Sequence, residues 1–234
     1  MKIKVIIPNS GMDRETLDAR ETMLSRALSS ETQISVDGIP EGPISIESNT
    51  DEALAAPQLL RMGRQAEEEG FDALVVYCFS DLSIDALREQ LNIPVVGPGE
   101  VALAAADMLS NRFTVITTTS GNISRTRRRL MRSHICREKM TSVQALNIPV
   151  SELRENPQAT QRYLEQICLR TMEKEEIDTV ILGCLGLAQY GQSIEDKYGL
   201  RVIDPAFLAV AWAELAARLA LRHGRRAYAQ CGGL

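Results

Sequence analysis

The sequence predicts an α/β protein made of two similar βα domains with largely parallel sheets, related by a pseudo-two-fold axis. Three observations carry that prediction. Strand-like and helix-like runs alternate along the chain, the pattern of the first half returns in the second, and each half ends a central apolar run on a cysteine. Alternation implies parallel pairing because two parallel strands need a crossover long enough to hold a helix.

Short β-branched runs at 3–7, 34–36, 73–77, 94–96, 113–117, 142–146, 179–182 and 201–203 read as strands. Between them, Asp13 is placed to cap a helix running to about Ala27. Asn49 or Thr50 is placed to cap the next, and Gly70 to stop it. Pro57 kinks or divides that second helix. Arg125, Arg127, Arg128, Arg129 and Arg132 crowd a later helical segment as a solvated or subunit-contact face. The last helix carries Trp212 on an apolar side suited to the core or to a dimer seam, and Arg218, Arg222, Arg225 and Arg226 complement the dipole at its end. Residues beyond Tyr228 are expected to fray.

The internal repeat sets the domain boundaries. ALVVYC ends on Cys78 and TVILGC on Cys184; Pro98 follows the first cysteine by twenty positions, and Pro205 the second by twenty-one. The opening strands match as well, VIIPNS from Val5 and VITTTS from Val115, each ending in a short polar run. Two halves at roughly 1–98 and 111–205 exchange their final helices. The first domain then takes residues 1–98 with a C-terminal helix at 206–227, and the second takes 99–205.

Composition removes several classes of function. Hydrophobic residues at 44% and charged ones at 24% are ordinary for a globular chain, while a net charge of −5 and a pI near 5.3 leave no basic surface for nucleic acid. No signal-peptide core follows the start, and no apolar stretch is long enough for a membrane. Five cysteines, an odd number and widely spread, read as reduced thiols in the cytoplasm. Two histidines, His134 and His223, and no Cys-x-x-Cys pair make no metal set. None of the five lysines suggests a buried Schiff base, and no glycine-rich fingerprint follows a strand, so no cofactor is expected. Symmetric self-association is the default for such a chain, which predicts a homo-oligomer.

Ligands of open α/β sheets bind at the carboxyl ends of strands, where Asn9-Ser10, Cys78, 117–120 and Cys184 all fall. An active site in the cleft between the two domains would collect these segments. Gly183 and Gly186 flank Cys184 and let backbone approach a ligand. Two thiols on opposite sides of a carbon acid suit proton abstraction on one face and delivery on the other, so Cys78 and Cys184 are the expected catalytic pair. Cys136, Cys168 and Cys231 read as small core residues; Cys168 shares a helix face with Leu164 and Met172.

The motifs IPNS at 7–10, GPISIES at 42–48, VVYCFSD at 75–81, VVGPGE at 95–100, FTVITT at 113–118, ILGCLGLA at 181–188 and VIDP at 202–205 together resemble the hydantoin racemases of the aspartate/glutamate racemase superfamily, over nearly the whole chain. That resemblance implies a two-thiol, metal-free and pyridoxal-free 1,1-proton transfer on a small ureide, a 5-substituted hydantoin or allantoin. It also implies that Asn9, Phe79, Ser80, Thr118, Thr119 and Leu185 line the pocket for the substrate ring. Glu47 is either a further polar group there or a cap in its own loop. Similar proteins often read Cys-Phe-Gly-Asp-Pro-Gly where this chain reads Cys78-Phe79-Ser80-Asp81-Leu82-Ser83, so Ser80 adds a hydroxyl and favours a polar substrate. The alternatives are an aspartate or glutamate racemase, a one-thiol decarboxylase, or a non-enzymatic small-molecule-binding protein. The first would need a cationic clamp, and no arginine lies within a few residues of either cysteine.

Overall fold

The structure, a computed structural model, describes residues 1–229. Along the chain it forms β1 (Lys2–Ile7), α1 (Arg14–Ser25), β2 (Gln33–Gly38), α2 (Asn49–Glu68), β3 (Ala73–Val76), α3 (Ile84–Gln90), β4 (Val95–Val96) and α4 (Pro98–Leu109). There follow β5 (Phe113–Thr117), α5 (Ile123–Leu130), α6 (His134–Lys139), β6 (Met140–Ala145), α7 (Pro157–Glu175), β7 (Thr179–Leu182), α8 (Gln192–Tyr198), β8 (Arg201–Ile203) and α9 (Pro205–Arg218). All strand pairs are parallel, in two four-stranded sheets of order β2-β1-β3-β4 and β6-β5-β7-β8. Two compact units result: Met1–Pro98 with the segment from Ala206 onward, and Gly99–Pro205.

The central strands are short, continuous apolar runs because helices cover both faces. β3 and β7 are buried at every position. In the first unit Ile6, Leu59, Leu74, Val76, Leu87 and Leu91 pack one core; in the second Ile116, Leu164, Val180, Leu182, Leu187 and Ile194 pack another. Register repeats between the units. Val5 pairs with Val75 and Ile6 with Val76, as Val115 pairs with Ile181 and Ile116 with Leu182. Asp72 accepts from the Lys2 N–H, and Asp178 from the Asn111 N–H, both at 2.8 Å, so each second central strand is keyed to its neighbour by the aspartate six residues before its cysteine.

The exchanged helices are anchored in matching ways. In the first unit Glu214 of α9 accepts from the Ser29 hydroxyl at 2.6 Å and from Thr32, just before β2. Burial pushes the Glu214 carboxyl up, but the Ser29 and Thr32 hydrogen bonds outweigh it and hold its pKa below the ordinary value. In the second unit Asp107 of α4 pairs with Lys139, just before β6, at 3.0 Å. Asp107 and Glu214 stand nine residues after Pro98 and Pro205, the same register in the repeat.

Several local expectations change. Asp13 caps α1, accepting from the Thr16 N–H at 2.8 Å, but α2 is capped by Ser48, through the Asp51 N–H, and not by Asn49 or Thr50. Pro57 does not divide α2, which runs through it. The last helix ends at Arg218, well short of 227. Ala220 adopts a left-handed backbone at φ 51°, and the Leu221 and Ala220 N–H groups return to Ala216 and Ala217, a Schellman closure that terminates the helix. Arg222 and Arg225 therefore serve another helix end: they donate to the carbonyls of Asn92, Arg88 and Leu91 at the C-terminus of α3. His223 accepts the Val95 N–H at 2.8 Å from the same tail. Trp212 is not core; it is 46% exposed, while Ala206, Ala209, Val210, Ala213 and Ala216 form the buried side of α9. Arg127 and Arg128 of α5 are exposed, as expected of a solvated face. The expectations for Cys231 and for the chain end concern positions outside the described residues, apart from Ala229. Among the described residues, no helix is long and apolar enough to cross a membrane.

Candidate active site

Each sheet delivers a cysteine by the same local path. The ladder between β1 and β3 extends one residue beyond β3, where the Tyr77 N–H reaches the Ile6 carbonyl at 2.8 Å; in the second unit the Gly183 N–H reaches Ile116 at the same distance. The chain then turns. The Asp81 N–H closes back on the Cys78 carbonyl at 3.1 Å, and the Leu187 N–H on the Cys184 carbonyl at 3.0 Å. Both cysteines are partly exposed at these turns, whereas Cys136 and Cys168 are buried, and none of these four is in a disulfide. Burial pushes the Cys136 thiol up to about 11 and the Cys168 thiol to about 12, so both stay protonated and unreactive near neutral pH.

Asn9, Phe79, Ser80 and Glu47 lie in the first unit near the carboxyl edge of β1 and β3. Asn9 is buried and donates its amide N–H to the Ile44 carbonyl at 3.0 Å, tying the end of β1 to the GPISIES loop. That carboxyl edge is tight, since a Cβ at Gly38 would lie 2.9 Å from the Asn9 carbonyl oxygen. Phe79 is buried, and Glu47 is partly exposed with its backbone N–H on the Asp51 carboxylate at 3.0 Å. Ser80 places its hydroxyl 3.3 Å from the Cys78 sulfur.

Thr118, Thr119 and Leu185 lie in the second unit at the corresponding edge of β5 and β7. Thr118 and Leu185 are buried, and the Thr118 carbonyl accepts from Ile148 at 3.2 Å. A residue the sequence reading missed organises this edge. Asn122, 3% exposed, donates to the Thr118 and Thr119 hydroxyls at 3.3 and 3.2 Å and accepts from Arg125 at 3.2 Å. The available signal was its spacing: an asparagine three and four residues after two threonines, on a single turn, reaches both hydroxyls. Among the described residues, no group of three or more His, Cys, Asp or Glu is placed to hold a metal ion.

The Cys78 loop carries backbone strain. Asp81 and Ser83 are left-handed at φ 53° and 60°, and a Cβ at Gly97 would lie 2.7 Å from the Asp81 carboxyl carbon, so Asp81 fills the space beside β4. Ser83 is the N-cap of α3 yet makes no side-chain capping bond, so its side chain gives nothing back for its conformation. The last glycine of the pattern Cys-Phe-Gly-Asp-Pro-Gly falls at this position, which the left-handed backbone explains. Ser83→Gly is expected to stabilise the protein by about 0.5–1 kcal/mol, the relief of the left-handed penalty less the added chain entropy, read as a higher urea midpoint at unchanged slope.

A family model, Asp/Glu/Hydantoin racemase, matches residues 3–213. A hydantoin racemase from Pseudomonas sp. (strain NS671) is 34% identical over 92% of this chain and 85% of its own length. A second, from Rhizobium meliloti, is 31% identical over 92% of this chain and 88% of its own length. Among solved structures, an allantoin racemase from Klebsiella pneumoniae superposes with a TM-score of 0.91 at 26% identity, covering 100% of this chain and 95% of that one.

Proposed function

The chain belongs to the Asp/Glu/Hydantoin racemase family and is a racemase, and from that premise we propose that it interconverts the enantiomers of a small ureide, a 5-substituted hydantoin or allantoin, by proton transfer between Cys78 and Cys184 without a cofactor. One observation carries the assignment of the pair: two matching turns after two matching strands each present a partly exposed cysteine, while Cys136 and Cys168 are buried and held protonated.

The reaction follows from the chemistry of thiols. The stereocentre of such a ureide carries a hydrogen next to a ring carbonyl, so removing the proton leaves a planar enolate. One cysteine, as thiolate, takes that proton and becomes a thiol; the other, as thiol, returns a proton to the opposite face and becomes a thiolate. The substrate gains and loses one proton, and the enzyme ends with the two cysteine states exchanged. Asn9 and the 79–80 turn on one unit, with Thr118, Thr119 and Leu185 on the other, are the groups proposed to line the ring, with Glu47 a further candidate. Neither cysteine turn, 78–83 or 184–188, contains a lysine or arginine, which favours a neutral ureide over a dicarboxylate amino acid.

A panel of allantoin, alkyl and aryl hydantoins, aspartate and glutamate tests the reading. Optical rotation of an allantoin or hydantoin enantiomer is expected to decay to zero, with one deuterium entering at the stereocentre in heavy water and no effect of prolonged dialysis against chelator. Turnover of aspartate or glutamate with inert ureides would overturn the substrate class.

A further inference from the structure

The two cysteine turns are closed by the same bond, from the N–H three residues on to the cysteine carbonyl, but they differ in chemistry. Position three of the first turn is Ser80, whose hydroxyl lies 3.3 Å from the Cys78 sulfur; position three of the second is Gly186, where even a Cβ would stand 3.4 Å from the Cys184 sulfur. A Cβ at Gly186 would also lie 2.7 Å from Leu153 Cδ1 and would displace the end of that side chain. The turn closure from Asp81 N–H to the Cys78 carbonyl is what folds Ser80 back over the sulfur.

We propose that Ser80 is a positioning residue for proton transfer, its hydroxyl donating to the Cys78 sulfur and holding it as the thiolate, so that Cys78 is the resting base. The proposal rests on the two-thiol reading above and gives its two cysteines unequal roles. A hydroxyl beside a thiol can donate or accept, but a thiolate can only accept, so the contact favours the charged form. The charged groups on the segments packed around Cys78 are of both signs. Asp81 lies on the same loop, and Glu47 on the segment that sends Ile46 into the core against which Cys78 packs; both are acidic. On β1 the cation Lys4 is paired with Asp37, and on α3 Arg88 donates to the Val95 carbonyl and lies against the Tyr228 ring.

The test is iodoacetamide labelling of the full chain across pH, with each labelled cysteine located by peptide mapping, on the native protein and on Ser80→Ala and Ser80→Thr. For Ser80→Ala the pH midpoint of Cys78 labelling is expected to rise by about one unit, a tenfold loss of thiolate below it, as expected for one hydrogen bond to a charged group. Ser80→Thr, which keeps the hydroxyl, should restore it, and the Cys184 midpoint should not move. In racemisation kinetics the acid limb of the kcat profile should move up by the same amount in Ser80→Ala and return in Ser80→Thr. A Cys78 midpoint unchanged in a Ser80→Ala protein that melts like the native one overturns the proposal. So does a midpoint that moves equally in Ser80→Thr. A shifted midpoint without turnover of any ureide supports the role of Ser80 and overturns the racemisation of ureides instead.

Discussion

Cys78→Ser and Cys184→Ser are each expected to lower racemisation by at least the 10²–10⁴-fold that a positioned acid or base contributes, because a serine hydroxyl is far too weak an acid to form an alkoxide base near neutral pH. The two losses should differ in kind. With one thiol left, each variant retains at most slow exchange of the substrate's α-hydrogen with solvent deuterium, and on one enantiomer only. The two variants should retain opposite enantiomers. Deuterium incorporation followed separately for each enantiomer measures this directly, and wild-type racemisation by either variant would end the two-thiol mechanism. Cys136→Ser and Cys168→Ser provide the contrast. Both sulfurs are fully buried, so a serine there costs stability, about 1–3 kcal/mol for burying a hydroxyl in place of a thiol, while turnover of the folded protein stays near native.

Gly183→Ala should be nearly as damaging, for a steric reason. A Cβ there would lie 2.7 Å from Val115 Cγ1, 2.9 Å from the Ile116 carbonyl oxygen and 3.3 Å from its carbon. Two of those three atoms are backbone of β5, and the same Ile116 oxygen already accepts the Gly183 N–H at 2.8 Å, so the strand cannot retreat without breaking its own ladder. The segment carrying Cys184 must move instead. Overpacking of this sort costs about 1–3 kcal/mol, and a shift of about 1 Å at a reacting group costs about 10²-fold in rate. Denaturant midpoint and racemisation rate, measured on the same preparation, should both fall. Gly224→Ala is the control: nothing stands within 4 Å of an added Cβ there, and both quantities should be unchanged. If Gly183→Ala keeps full activity, Cys184 does not need the position that β5 imposes on it.

What the sequence determined by itself is local or repetitive. The runs at 113–117, 179–182 and 201–203 are strands with those bounds; in the first two, β-branched residues buried on both faces have few other stable conformations. The parallel α/β class follows from alternation, and the matched cysteines after β3 and β7 follow from the repeat. Asp13 was legible as a cap because its partner, the Thr16 N–H, is three residues away. Tertiary structure decided everything whose partner is remote or whose alternatives are locally equal. Ser48, Asn49 and Thr50 can all cap a helix, and the entry of the chain into α2 selected Ser48. α9 stops at Arg218 because Ala220 turns left-handed there, a conformation no alanine advertises, and this frees Arg225 to meet α3 more than 130 residues earlier in the chain. Trp212 faces outward because the small residues Ala206, Ala209, Ala213 and Ala216 let α9 sit close on its unit, leaving the indole no room inside. The hydroxyl of Ser80 reaches the sulfur of Cys78 for the same kind of reason: composition names the two groups, and only the closed turn puts them 3.3 Å apart.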